Sequence, residues 1–369
     1  MELGIFMMPL HPTHRKVTDT YQEDLDKIIL ADKLGFTEAW VGQHFTAATE
    51  PIASPLAFMA AAIPQTKQIK FCTGVINLPC HHPATVAAEA AQFDHMSRGR
   101  FILGIGPGAL ATDFQLFQNE EGWARLRKMM ESIDMIKKIW DGGPPYDLKG
   151  EFYSMTVDKG IVAELGTGYM PKPYQQPHPP IASSLMSPFP GLGKITGEQG
   201  WLPISANFIP TYSVASHWTK YAEGCEAAKR KADPNDWRVC RNIIVARTDE
   251  EAKAMVFDPK GSLNYYFSYL WQALSLANYT IVVKSDPKMP DSDMKVEKLL
   301  EDLVIYGSPK TVAEKIRAFQ KKTGPFGNLI LAMSDWEYNH AGEENSMRLL
   351  ANEVLPLLNE GAAARLAVA

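Results

Sequence analysis

A histidine and an asparagine each follow an apolar segment of the sequence, at the point where that segment ends. His44 comes after Glu38–Val41, and Asn77 comes after the run that begins at Ile69. An imidazole in such a place can donate a hydrogen bond or act as a general acid or base. Asn77 can offer an amide to a flat heterocycle, and Gly74 allows close approach of the backbone. A lone histidine is more often structural, but its place after an apolar segment favours a functional role.

Arginine and serine side chains that suit a phosphate group lie further along the chain. Arg125 and Arg127 stand near the start of a predicted helix, where a guanidinium can hold a phosphate at any pH. Ser183, Ser184 and Ser187 precede another helix and offer hydroxyls and backbone amides. Together these residues predict a phosphate socket, whereas either arginine alone would more often lie on a solvated helix face.

Other catalytic patterns are missing from the sequence. His81 and His82 are adjacent, so their side chains point in different directions, and no nearby acids complete a zinc set. We expect them to cap the following helix, and we expect no metal. The sequence has no P-loop, nucleophile elbow, H-E-x-x-H motif or paired carboxylates at strand ends, which argues against nucleotide hydrolases, esterases, zincins and glycosidases. The four cysteines show no C-x-x-C spacing and are expected to be reduced thiols.

The elements that must position these residues alternate between apolar strands and amphipathic helices. Strands are predicted at residues 3–8, 38–41, 69–76, 100–105, 181–184, 201–205, 239–246 and 328–333. Eight such units favour a (β/α)8 TIM barrel over a doubly wound sheet, with functional residues at the carboxyl ends of the strands.

Two stretches interrupt this alternation and are predicted to be insertions, at about 142–180 and 258–303. The first is rich in proline and contains several tyrosines, so we expect an ordered pocket wall or, alternatively, an excursion packed on the surface. No Gly/Ser-rich linker separates the parts of the chain. Residues 1–369 are therefore expected to form a single domain.

The overall composition is that of an ordinary globular protein, with 46% hydrophobic and 21% charged residues. The formal net charge is −5, and no run of five like charges occurs, so nucleic acid is not an expected partner. The first residues lack a basic region, and no apolar run approaches the roughly 20 residues that cross a bilayer. We therefore expect a cytoplasmic protein with no membrane partner.

Several longer segments carry a family resemblance when they are taken together. They are Ile52-Ala53-Ser54-Pro55, Thr73-Gly74-Val75, Leu78-Pro79-Cys80-His81-His82-Pro83, Phe93-Asp94-His95-Met96-Ser97-Arg98-Gly99-Arg100, Gly104-Ile105-Gly106-Pro107-Gly108-Ala109, Lys172-Pro173-Tyr174-Gln175-Gln176-Pro177-His178-Pro179-Pro180 and Gly307-Ser308-Pro309. With them the chain resembles the bacterial luciferase-like flavin monooxygenases, particularly the branch of the limonene and diketocamphane monooxygenases. The resemblance covers nearly the whole chain.

The resemblance implies a two-component, FMN-dependent monooxygenase. A separate flavin reductase would supply reduced FMN, dioxygen would add to flavin C4a, and the peroxide would oxygenate a small, mainly apolar substrate of terpene, ketone or aldehyde type. Whether the oxygen is transferred as a nucleophile or as an electrophile stays open. A homodimer is also expected from the family.

The resemblance further implies roles for individual residues. His44 corresponds to the family's active-site histidine, Asn77 would lie against the isoalloxazine ring, and a non-proline cis peptide is expected around Ile76-Asn77. Cofactor contacts are predicted for Met8, Gly74, Asn77, Arg125, Ser183, Ser184 and Ser187. A substrate pocket is predicted to be lined by Met7, Phe45, Phe208, Tyr266 and Trp271.

One departure from the family pattern lies on either side of His44. Many relatives have an acidic residue before the histidine and a second histidine after it, where this chain has Gln43 and Phe45. We therefore expect few proton-carrying groups near the flavin, with His44 as the main one. Alternatives are a deazaflavin-dependent hydride-transfer enzyme of the same fold and a non-catalytic flavin-binding protein. A metal-dependent barrel hydrolase that uses His44, His81 and His82 is a further class.

Overall fold

The computed structural model describes residues 1–119 and 122–366 of the chain. Its strands are β1 (Glu2–Met7), β2 (Glu38–Val41), β3 (Lys70–Thr73), β4 (Ile76–Asn77), β5 (Phe101–Gly106), β6 (Tyr146–Lys149), β7 (Ser154–Val157), β8 (Ile181–Leu185), β9 (Leu202–Ser205), β10 (Arg238–Val245), β11 (Val304–Gly307) and β12 (Asn328–Ala332).

The helices follow the strands in nearly regular alternation. They are α1 (Val17–Lys33), α2 (Pro55–Ala62), α3 (Pro83–Ser97), α4 (Ala111–Leu116), α5 (Gly122–Asp141), α6 (Gly191–Gln199), α7 (Thr211–Ala227), α8 (Asp249–Val256), α9 (Ser262–Leu276), α10 (Val296–Leu303), α11 (Pro309–Thr323), α12 (His340–Leu349) and α13 (Leu355–Leu366). None of the helices in the described part of the chain is long and apolar enough to cross a membrane.

The first of two compact units comprises Met1–Ala39 and Ser183–Ala369. Strand β12 is parallel to β1 on one side and to β10 on the other, and β10 is also parallel to β9 and β11. Along β1, Leu3, Ile5 and Met7 are buried on one face, because successive residues of a strand point to opposite sides. This apolar face forms part of the unit's core.

The second unit is Trp40–Ala182. Strands β3 and β4 are both parallel to β5, and the peptide bond Gly74–Val75 between them is cis. The sequence predicts one continuous strand at 69–76, but the structure divides it into β3 and β4. The expected non-proline cis bond is present and lies two residues before the predicted place around Ile76-Asn77. Strands β6 and β7 form an antiparallel hairpin, which is regular structure inside the first predicted insertion.

The fold is a (β/α)8 barrel, which confirms the prediction. Strands β2 and β8 each run from one unit into the other, so the neighbours in the sheet can be followed through eight strands. The order is β1, β2, β3, β5, β8, β9, β10, β12 and back to β1. Parallel strands place their carboxyl ends at the same end of a barrel, where functional residues gather.

Two helix starts illustrate how local sequence fixes these elements. Pro83 is the first residue of α3, and Nδ1 of His82 accepts a hydrogen bond from the backbone N–H of Ala84 at 3.3 Å. The predicted cap is thus confirmed for His82. At α8, the Thr248 side chain accepts from the backbone N–H of Glu251 at 3.1 Å, ahead of an acidic first turn.

Candidate functional site

The His44 side chain lies beside a buried carboxylate in the second unit. His44 follows β2, and Asp113 belongs to α4, the short helix after β5. Nδ1 of His44 donates to Oδ2 of Asp113 at 3.1 Å, although the residues are 69 positions apart. The same carboxylate accepts from the backbone N–H of Thr46 at 2.9 Å and from its hydroxyl at 2.6 Å. These contacts fix both the carboxylate and the imidazole ring.

A second carboxylate lies on the other side of the imidazole. Oε2 of Glu50 is 3.6 Å from Nε2 of His44, and both side chains are largely buried. Burial acts to lower the pKa of His44, but the hydrogen bond to Asp113 and the negative charges of Glu50 and Asp113 outweigh it and raise that pKa. The two acids therefore favour the protonated form of the imidazole that lies between them.

This geometry corrects the expectation of few proton-carrying groups near His44. That expectation rests only on the residues adjacent to the histidine, Gln43 and Phe45. Asp113 and Glu50 fill that role from other parts of the chain, because α4 and the loop after β2 bring them to the imidazole. A signal was present for Asp113, since it lies in the first helical turn after a strand end, the position where functional residues were sought.

Gln43 links Asn77 to His81. Its carbonyl oxygen accepts from Nδ2 of Asn77 at 3.1 Å, and its side-chain oxygen accepts from the Asn77 backbone N–H at 3.0 Å. The same side-chain oxygen accepts from Nε2 of His81 at 3.0 Å. Burial lowers the pKa of His81, so this ring is neutral and its Nε2 carries the proton. His81 is thus held by Gln43 and does not cap the helix as the sequence predicted.

Gly74, Asn77 and Phe45 lie around the same strand ends. The Gly74 backbone N–H donates to the Val41 carbonyl at 2.7 Å, next to the cis bond. A Cβ on Gly108 would lie 3.7 Å from the Asn77 side chain and 2.9 Å from Phe114, so backbone and side chains approach closely here. The Phe45 ring packs 5.7 Å from the His81 ring. The second unit therefore brings together His44, Phe45, Gly74 and Asn77 of the predicted site.

Arg125 stacks on an aromatic ring near the start of α5. Its guanidinium carbon is 3.6 Å from the centroid of Phe114, and Nη1 donates to the Asn119 carbonyl at 3.1 Å. Burial lowers the pKa of this arginine, though a guanidinium stays charged. Arg127, by contrast, is exposed and pairs with Glu151 at 3.0 Å, as a solvated helix face predicts. Of the two arginines, Arg125 is the less exposed, and a phosphate contact stays a prediction for it alone.

The cysteine nearest to this arrangement has no thiolate character. Burial and the negative charge of Asp113 raise the pKa of Cys80 to about 11. All four cysteines of the chain are free, which confirms the prediction of unpaired thiols. The thiol of Cys80 is therefore protonated near neutral pH, and it is no nucleophile there.

In the first unit, the two methionines at the end of β1 face opposite ways. Met7 is fully buried on the same face as Leu3 and Ile5. Met8 is only half-buried and lies on the opposite face with Phe6. Met7 has no exposed surface with which to line a pocket, so its position corrects that prediction. Met8 keeps a position from which a ligand can be contacted.

The three predicted serines differ in burial. Ser183 is fully buried, and its hydroxyl lies 2.5 Å from the hydroxyl of Thr196 on α6. It therefore joins strand to helix and offers no surface to a phosphate, contrary to the prediction. Ser184 and Ser187 are half-buried, and the Ser187 carbonyl accepts from Nε2 of His217 at 2.9 Å. These two serines remain candidates.

The predicted aromatic residues of the first unit are half-buried. Phe208 follows β9, and Tyr266 and Trp271 lie on α9. The Tyr266 hydroxyl accepts from Nδ2 of Asn207 at 3.0 Å, so a polar group lies among these apolar side chains. This polar contact was not foreseen from the sequence.

One cluster of the first unit has the residue types of a metal site. Ligand atoms of His11, Glu23 and Asp335 lie within 4.8 Å of one another. The same carboxylates already bind Arg15 at 2.8 and 2.6 Å, and Glu23 also binds Lys27 at 2.7 Å. A metal would have to displace these cations, so the cluster is an ion-pair network. In the described part of the chain, no such cluster contains the histidines of the metal-hydrolase alternative.

Comparison with known proteins identifies the family. The luciferase-like monooxygenase family model matches residues 1–324. The chain is 31% identical to limonene 1,2-monooxygenase of Rhodococcus erythropolis, over 97% of this chain and 87% of that protein. This chain belongs to the luciferase-like monooxygenases, which are oxidoreductases, as its sequence segments predicted.

A solved structure agrees with this assignment over almost the whole chain. The oxygenating constituent of 3,6-diketocamphane monooxygenase from Pseudomonas putida, solved with FMN, is 27% identical, with a TM-score of 0.87, and the match covers 96% of this chain and 98% of that one. An F420-dependent glucose-6-phosphate dehydrogenase of Amycolatopsis mediterranei is 27% identical over 61% of this chain and 65% of that protein. The monooxygenase matches are the more extensive.

Proposed function

We propose that this protein is the oxygenating component of a two-component flavin monooxygenase. It takes reduced FMN from a separate reductase and uses dioxygen to oxygenate a small, mainly apolar organic substrate. The observation that carries the proposal is the full-length similarity to a limonene monooxygenase and to an FMN-bound diketocamphane monooxygenase. The imidazole held between two acids supports it, because oxygenation requires control of a proton.

The donor groups of the chain fit FMN. A stacked, half-buried guanidinium at Arg125 suits a phosphate, and the Asn77 amide suits the edge of a planar heterocycle. Ser184, Ser187 and Met8 of the first unit remain proposed contacts, as does Gly74 of the second. Bound reduced FMN would supply the electrons and the reaction with dioxygen.

The residues around His44 would manage the proton. Asp113 accepts the Nδ1 proton and so fixes the ring, which leaves the Nε2 proton directed to the side of Glu50. Because the pKa of His44 is raised, the ring keeps this proton to higher pH than a free histidine would, and it can donate the proton to a bound molecule. Phe45, Phe208, Tyr266 and Trp271 would favour an apolar substrate and limit the access of water.

Substitution of His44 tests this function. With reduced FMN supplied by a reductase, we expect His44→Ala to lower the product formed per FMN oxidised by about a hundredfold. The FMN that no longer yields product should release hydrogen peroxide instead. His82→Asn is the matched control, because asparagine preserves a helix cap outside the network. An equal yield of product per FMN oxidised in both variants and in the wild type would show that His44 takes no part in the reaction.

A homodimer and a cytoplasmic location remain proposals that rest on the family and the sequence. Gel filtration with light scattering would measure the mass of the particle directly. A mass of two chains is expected.

A further inference from the structure

An ion pair shows which face of β10 points into the barrel. Arg238 at the start of β10 binds Glu38 of β2, with Nη2 and Oε1 2.7 Å apart and Nε and Oε2 3.2 Å apart. Both residues belong to the first unit, and β2 is not a neighbour of β10 in the sheet. The pair therefore crosses the interior. Since side chains alternate along a strand, Cys240 and Asn242 share the inward face with Arg238.

The strand register places Asn242 at the functional end of this interior. Arg238 is level with Asn328, the first residue of β12, and Arg241 is level with Leu331. Asn242 is then level with Ala332, the last residue of β12, which itself pairs with Phe6 near the end of β1. In (β/α)8 enzymes the carboxyl ends of the strands carry the ligand sites.

The Asn242 side chain has an unpaired donor. Only 4% of the residue is exposed, and its Oδ1 accepts from Nδ2 of Asn207 at 3.4 Å. Its Nδ2 has no hydrogen-bond partner among the described residues. Asn207 donates to Tyr266 as well, so the Asn242 amide is tethered beside the aromatic residues of α9. A buried N–H2 without an acceptor lowers stability, and a ligand with an acceptor would satisfy it.

We propose that Nδ2 of Asn242 donates a hydrogen bond to a carbonyl oxygen of a molecule bound at the carboxyl ends of the strands. This inference rests on the proposed function, and it assigns the substrate as a ketone in preference to a hydrocarbon. The same donor would also fit a carbonyl of the flavin ring. An amide that recognises an acceptor discriminates strongly against an analogue that lacks it.

The test removes the donor and measures binding instead of turnover. Asn242→Leu keeps the number of side-chain heavy atoms and removes the N–H2 donor, and Asn207 keeps Tyr266 as an acceptor. Cys240→Val, on the same inward face one layer away, is the control for repacking. Dissociation constants are measured by anaerobic calorimetry for reduced FMN, and then, with FMN bound, for camphor and for 2-methylenebornane, in which a CH2 group replaces the carbonyl oxygen.

We expect Asn242→Leu to weaken camphor binding about tenfold while the methylene analogue changes less than about twofold. If FMN binding weakens instead, and the ratio of the dissociation constants of the two terpenes is unchanged, the acceptor is a flavin carbonyl and the assignment of a ketone substrate is overturned. No change in either quantity, or an equal change in Cys240→Val, would overturn the proposal.

Thermal unfolding of the ligand-free variants shows that the comparison is made on folded protein. We expect the midpoint of Asn242→Leu to equal or exceed that of the wild type, since the unpaired donor is gone. Failure of the proposed function would be seen in a different measurement. The wild type would then form no oxygenated product from reduced FMN, independently of the residue at position 242.

Discussion

Replacing Asp113 by asparagine should lower the pKa of His44, because the protonated imidazole loses the carboxylate that stabilises it. The carboxylate accepts from Nδ1 of His44 at 3.1 Å and from two donors of Thr46 at 2.9 and 2.6 Å. An asparagine oxygen can still serve Thr46, but its N–H2 group then meets Nδ1. The ring must become an acceptor there, and the charged form of His44 loses its partner.

The size of this effect follows from the bond that is lost. A hydrogen bond to a charged group contributes about 1.5–3 kcal/mol, which corresponds to about tenfold to 150-fold in an equilibrium. Burial, which lowers the pKa of His44, would remain while the opposing hydrogen bond and charge of Asp113 are removed. The pKa of His44 in Asp113→Asn should therefore fall, so a smaller fraction of the imidazole is protonated at any given pH.

The assay is the pH dependence of product formed per reduced FMN. In the wild type the raised pKa of His44 keeps the ring protonated to higher pH, so coupling should persist and decline only on the alkaline side. In Asp113→Asn the decline should move to lower pH, with coupling about tenfold lower near pH 8.

Glu50→Gln is the matched control for this variant. Glu50 acts on His44 at 3.6 Å through its charge, so the change should have the same direction but a smaller size. The reasoning is refuted if the alkaline decline of Asp113→Asn coincides with that of the wild type, or if Glu50→Gln has the larger effect.

Three further predictions concern stability and cofactor binding. Glu38→Ala should lower the free energy of unfolding by about 3–5 kcal/mol in urea titrations, because the buried guanidinium of Arg238 loses the carboxylate of Glu38. A Glu38→Leu/Arg238→Met double variant should recover most of this loss. Burial acts to lower the pKa of His11, but hydrogen bonds to Asp24 and Asp335 outweigh it and raise that pKa. The contribution of His11 to stability is therefore present below about pH 6.5 and is lost as pH rises through the folded-state pKa. The thermal midpoint of His11→Asn should vary less with pH in that range than the midpoint of the wild type. Arg125→Met should weaken FMN binding about tenfold in fluorescence titrations, while exposed Arg127→Met should not. The three arguments would be contradicted, in turn, by an unchanged free energy of unfolding in Glu38→Ala, by an unchanged pH dependence of the midpoint in His11→Asn, and by equal FMN affinities of Arg125→Met and Arg127→Met.

Local sequence signals were sufficient for most of the barrel. Strand β2 has the predicted bounds, because a short apolar run is a local feature. The hairpin β6–β7 was missed, since its four-residue strands lie among glycines and prolines that indicate irregular structure.

The candidate site was predicted less completely, because its contacts depend on tertiary structure. His44 could be found from its place after a strand, but its partnership with Asp113 spans 69 positions. The roles of Ser183 and Met7 depended on which strand face points inward. Period-two alternation separates neighbouring residues but does not say which of them faces the core. Ser183 and Met7 proved to be on the buried side.

A single-turnover experiment tests the central claim most directly. The protein is mixed anaerobically with reduced FMN and then with oxygenated buffer, while the absorbance of oxidised flavin is followed. If the protein is a flavin monooxygenase, oxidised FMN should appear later than it does from free FMN, and substrate should change that delay and yield oxygenated product. Flavin that oxidises at the rate of free FMN, with no product from terpenes, ketones or aldehydes, would contradict the proposed function and favour deazaflavin chemistry or flavin binding without catalysis.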